Sequence, residues 1–139
     1  MDSINLDRID EKKLEKVSHM VTLIAYHSDM LQRIVETRML SFIIRMLDSK
    51  YSVLIRSNAV LAISMLTYHE ILFDELINQG VIDMVMDLCM DMKADISIKR
   101  FSTLALVHFA LSKKSIQMLL DKGIMKLFNV LSSIDNAQI

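Results

Sequence analysis

The two glycines of this chain, Gly80 and Gly123, stand 43 residues apart, and each opens the same step: Gly80-Val81-Ile82 and Gly123-Ile124-Met125. No proline occurs in the 139 residues. Soluble proteins carry roughly 5% Pro and 7% Gly on average, so a chain almost free of both breakers is expected to be all-α. Its two glycines are then reserved for helix ends, where Gly supplies a left-handed residue at no steric cost.

The step recurs because a larger unit recurs. Glu70 to Leu111 forms one complete copy, in which Ile71, Leu72, Leu76 and Ile77 make a short helix ended by Gly80. A second helix is predicted from Val81 to Met92, a turn over Lys93 to Ser97, and a long helix from Ile98 to Leu111. In the preceding copy Ser28 or Asp29 caps a short helix carrying Met30, Leu31, Ile34 and Val35. A second helix runs from Met39 to Asp48, with Leu40, Ile43, Ile44 and Leu47 on one side. Ser49-Lys50-Tyr51-Ser52 reads as a turn with a cap, and a long helix follows from Val53 to Thr67. Arg38-Met39-Leu40 takes the place of the glycine step, 42 residues before it, while Ala59, Ala62 and Leu66 return as Ser102, Ala105 and Phe109, 43 residues later.

Incomplete copies flank these two. Leu14, Val17, Val21 and Ile24 fall at helical spacing, predicting a helix from Glu11 to Tyr26 that Asp10 is placed to cap. At the other end Ile116, Leu119 and Leu120 precede Gly123, and Ile124 to Leu131 continues as a helix with no long helix after it. The expected organisation is one domain over 1–139, with a partial repeat at 11–26, repeats at 28–68 and 70–111, and a partial repeat at 113–134.

A period near 42 with three helices per unit marks a helical solenoid. The pattern resembles the armadillo repeat family: a short helix, Gly, an apolar pair, a second helix ending in Leu, then a long third helix with Ala at a close-packing position. The resemblance covers residues 13–134. The nearest rival is a two-helix HEAT-type repeat, against which the Gly-apolar-apolar steps favour armadillo. The fold implied is a right-handed α-solenoid of armadillo-like three-helix repeats, in which stacking joins the apolar surfaces of neighbouring units into one core. The 12 methionines are expected mostly inside it, where their flexible side chains fill gaps.

The resemblance further implies a groove lined by the long helices that holds a partner protein or peptide. In the relatives that bind extended peptides, each long helix carries a Trp and, four residues later, an Asn. The equivalent places here are Leu61 and Leu104 for Trp, and Met65 and His108 for Asn, with Leu23 in the first partial copy; none matches. The asparagine ladder that holds nuclear-localisation peptides is therefore not expected. The face instead carries Asn58, Leu61, Met65, Tyr68, Phe101, Leu104 and His108, with Lys16, His19 and Leu23 ahead of them. Such a mainly apolar groove suits the apolar stripe of an amphipathic helix; the alternative is that these residues are ordinary core. A second reading makes the chain an oligomerisation or capping segment of a larger scaffold with a closed groove. It rests on Ile124, Leu127, Phe128 and Leu131, which are expected to be poorly covered on one side and to permit self-association through the C-terminal end; the alternative is that the last helix turns inward as a cap.

Charged and nucleophilic residues narrow the function further. Asp83, Asp87 and Asp91 share one side of the second helix, as a solvated outer face or a patch for a basic partner. They do not converge as a cation requires. Lys99, Arg100, Lys113, Lys114, Lys122 and Lys126 read as solvated surface, and His27 and His69, 42 residues apart, as turn residues bonding a helix end. His19 has only Glu15 one helical turn back, short of the three or four ligands of zinc. Cys89 lies in an apolar run, where a buried thiol is inert. None of the Gly-rich, H-E-x-x-H or G-x-S-x-G constellations occurs, so neither catalysis nor a cofactor is expected.

A net charge of −1 and a pI near 6.4 offer nothing to a polyanion such as nucleic acid. The opening MDSINLDRIDEKK is too charged for a secretory signal. Asp2 stands where myristoylation needs glycine. Uncharged runs fall short of the roughly 20 residues that span a bilayer. With a lone cysteine, a reducing, cytoplasmic setting is the expectation, the nucleus left open.

Overall fold

The structure, a computed structural model, describes residues 8–27, 29, 33–34, 38–91 and 93–129. Every regular element among them is helical. In chain order these are α1 (Glu11–Tyr26), α2 (Met39–Arg45), α3 (Val53–Leu66), a 3-10 turn (Glu70–Leu72) running into α4 (Phe73–Asn78), α5 (Val81–Met90), α6 (Ile96–Ala110) and α7 (Lys113–Asp121). Residues 124–129 are helical as well. The segment expected as a short helix around Met30, Leu31 and Val35 lies outside the described residues, as do its cap Ser28 and, at the other end, Leu131.

The three long helices pack in sequence, α1 against α3 and α3 against α6. The shorter helices lie against this series: α2 on α3, α5 on α6, α4 on α5 and α7 on α6. Small residues stand where the long helices approach. Ala59 and Ala62 of α3, and Ser102 and Ala105 of α6, are fully buried, with Leu66 and Phe109 completing the same spacing in each helix. Around them Ile43, Met46, Ile63, Leu76, Val81 and Val85 form one continuous apolar core.

Helix ends follow local chemistry. Ser52 accepts from Ile55 N–H at the start of α3, and Asp95 from Ser97 N–H at the start of α6, each satisfying one of the donors that a helix N-terminus leaves free. Gly80 (φ 78°) and Gly123 (φ 90°) take the left-handed conformation expected of them.

The structure departs from the sequence reading at several ends. Asp10 precedes α1 without a side-chain capping bond. α2 stops at Arg45, α5 at Met90 and α3 at Leu66, while α6 begins two residues earlier than Ile98, at Ile96, because Asp95 caps it there. In the short-helix segment Ile71 is 84% exposed and Phe73 takes the interior place, stacked on Phe109 at 4.9 Å. At the C-terminal end, of the two readings the sequence left open, Ile124 and Leu127 follow the inward-turned one and are buried, while Met125 and Phe128 lie outside.

Candidate interaction face

The positions expected to line a groove lie on α3 and α6, with Leu23 on α1. They divide into two groups. Leu61, Phe101 and Leu104 are half-buried, Tyr68 and Leu23 are exposed, and Met65 is half-buried with its inner side on the core. This row runs across successive long helices and presents apolar surface outward.

Asn58 and His108 do something different, because each is tied to the neighbouring long helix. Asn58 Nδ2 donates to Ser18 Oγ at 3.0 Å, and Thr22 Oγ1 lies 3.2 Å from the Asn58 carbonyl, joining α3 to α1. His108 is nearly fully buried, against the expectation of an open groove position. Thr67 Oγ1 donates to the Ser64 carbonyl at 2.6 Å, so its proton is spent. His108 Nδ1, 2.8 Å from Thr67 Oγ1 and 3.1 Å from Ser64 O, must therefore carry the hydrogen and donate to both. Tyr68 lies over the imidazole with ring centroids 4.0 Å apart.

A second bond joins the same two helices at their other ends. Ser57 Oγ meets Ser97 Oγ at 2.9 Å. The Ser97 hydroxyl proton goes to Asp95, whose carboxyl is held below its usual range by that bond and by the Ser97 N–H. Buried polar groups cost stability unless paired, so these bonds favour one register of α1, α3 and α6. Sequence reading assigned no role to Ser18, Thr22, Ser57, Ser64, Thr67 or Ser97. Their signal was present: Ser18 and Thr22, like Ser64 and Thr67, are hydroxyl residues about one helical turn apart with apolar neighbours in sequence.

Two hollows border the face. One of about 150 Å³ is formed where α3 and α6 end, between Tyr68, Glu70, Phe73, His108 and Ser112. The other, about 350 Å³ and more open, lies between α1 and α3 at Glu15, Lys16, His19, Leu54 and Asn58.

The remaining candidates are dispersed. Asp83, Asp87 and Asp91 are exposed. Asp83 pairs with Lys122 at 2.8 Å, and Asp91 accepts from Lys93 N–H, ending α5. Lys114 pairs with Asp74 across the surface. His27 and His69 do bond helix ends, through their backbone N–H groups to Ile24 O and Leu66 O. The Cys89 thiol is buried and its pKa raised by desolvation, with Thr103 Oγ1 at 3.6 Å. Among the described residues no three His, Cys, Asp or Glu side chains converge to hold a metal ion, and no helix is long and apolar enough to cross a membrane. Set against protein families, curated proteins and solved structures, the chain matches none of them.

Proposed function

We propose that this chain is a non-catalytic protein-protein interaction module, built as a right-handed α-solenoid of armadillo-like three-helix repeats. In this reading the face of the long helices holds the apolar stripe of an amphipathic helix from a partner protein, in the cytoplasm. One observation carries it: Leu61, Phe101 and Leu104 remain half-exposed, flanked by exposed Leu23 and Tyr68, across helices whose inner sides are fully packed. Surface leucines scattered singly need no explanation, whereas a contiguous apolar row on a rigid scaffold marks a contact surface. A helix laid across it gains roughly 25 cal/mol for each Å² of apolar area removed from water.

The test is selection from a displayed library of amphipathic helices, repeated with Leu61→Asp and Leu104→Asp. Neither side chain is fully buried, so both variants are expected to keep the wild-type far-UV circular dichroism and lose the selected binders. Variants that unfold, or that bind as wild type does, overturn the groove. A second reading, self-association through the C-terminal end of a larger scaffold, draws on the exposed Ile116, Leu120, Met125 and Phe128.

A further inference from the structure

The smaller hollow has a chemistry of its own, set by how its hydrogen atoms are spent. Of the side chains that line it, Thr67 donates to the Ser64 carbonyl, and Ser112 donates to Glu70 Oε1 at 3.2 Å. His108 Nδ1 donates into the α3–α6 seam, so the only polar atom this ring has left for the hollow is Nε2, a lone pair in this tautomer. Glu70 adds a carboxylate on an exposed residue. Tyr68, 67% exposed, lies tilted against the imidazole and keeps much of its ring accessible, while its hydroxyl both donates and accepts and so favours neither sign. Phe73 closes the floor.

The backbone does not reverse this polarity. The turn sets the C-terminal end of α6 beside the N-terminal end of α7, and their dipoles offset one another. The donors of the first turn of α7 belong to residues 113–115, which do not line the hollow. The nearby ammonium of Lys114 is held by Asp74. A carboxylate, an acceptor nitrogen, spent hydroxyls and an aromatic face together repel anions and attract a donor with positive charge.

We propose that this hollow binds the cationic head, guanidinium or primary ammonium, of an organic cation. The head donates to Glu70 and to His108 Nε2 with the Tyr68 ring beside it. Its volume of about 150 Å³ admits such a head and not a whole ligand, so the rest of the molecule stays outside. Two sources present this chemistry, the side chain of a protein partner and a free polyamine.

The experiment follows the His108 and Tyr68 ring resonances by NMR at pH 8, titrating the full chain with N-acetyl-arginine amide, with spermidine, and with N-acetyl-citrulline amide as the neutral isostere. Saturable shifts of both rings are expected with the cations. Binding is expected to weaken about tenfold for citrulline and about tenfold for Glu70→Gln, the size of a lost hydrogen bond to a charged group. Tyr68→Ala, at an exposed position, supplies a second variant that keeps the fold. Tighter binding of the arginine amide assigns the site to a partner's side chain, and tighter binding of spermidine assigns it to free polyamines. The proposal is overturned if citrulline binds as well as arginine, if Glu70→Gln changes nothing, or if neither cation gives a saturable shift. These readouts are independent of the Leu61 and Leu104 variants, so either idea can fail alone.

Discussion

His108 is the residue whose reading changed most. At its position the armadillo proteins that bind extended peptides carry a ligand-facing Asn, and the sequence left it between an open groove place and ordinary core. The imidazole instead bridges two long helices through Thr67 and Ser64. Helical spacing locates a side chain on a face, but only the neighbouring helix decides whether that face is covered. Ser102 shows the opposite case. Ala59 stands 43 residues before it, and both are fully buried, yet Ser102 Oγ finds no partner. An interior hydroxyl without a bond is a net cost, and removing it is expected to stabilise the fold by about 1 kcal/mol. Urea unfolding of Ser102→Ala is the measurement, and a loss of stability would show that the hydroxyl makes a bond after all.

Among the elements, the glycine steps were legible because their cause is local. Between α4 and α5, and again after α7, the chain takes a left-handed residue between one helix and the next, and only glycine adopts that conformation freely. A Cβ built on Gly80 or Gly123 meets nothing closer than 4.0 Å and 3.8 Å, so any penalty is torsional and not a clash. Gly80→Ala is therefore expected to destabilise by about 1 kcal/mol, and Gly80→Asn by less, since Asn tolerates the left-handed region. Thermal unfolding of the pair checks the order; equal stability of Ala and glycine at this position would remove the argument. The caps were less legible. Asp10 and Asp95 look alike in sequence, each an aspartate directly ahead of a helix, but only Asp95 accepts from the N–H two residues on.

For the molecule as a whole, the serial packing of α1, α3 and α6 leaves apolar surface on the long-helix face and at the C-terminal end around Ile116, Leu120 and Phe128, besides dispersed exposed residues such as Ile71, Ile96 and Leu111. The end is less bare than its sequence implied, because Ile124 and Leu127 turn into the core. A monomer whose mass does not change with concentration is the expected result of light scattering. A dimer that Phe128→Glu dissolves would instead make the C-terminal end the functional surface.

Helical class, the positions of the breaks and most core residues follow from the sequence alone. Each depends on residues within one or two turns of one another: apolar spacing, an absence of proline, a glycine between one helix and the next. The partners of Asn58 and His108, the cover over Ile124 and the acceptor-lined hollow at Glu70 do not follow from it. Each joins residues roughly 40 positions apart, as Thr67 to His108 and Glu70 to Ser112 do. Such contacts exist only once helices have chosen their neighbours, and that choice is made by the packing of the whole core.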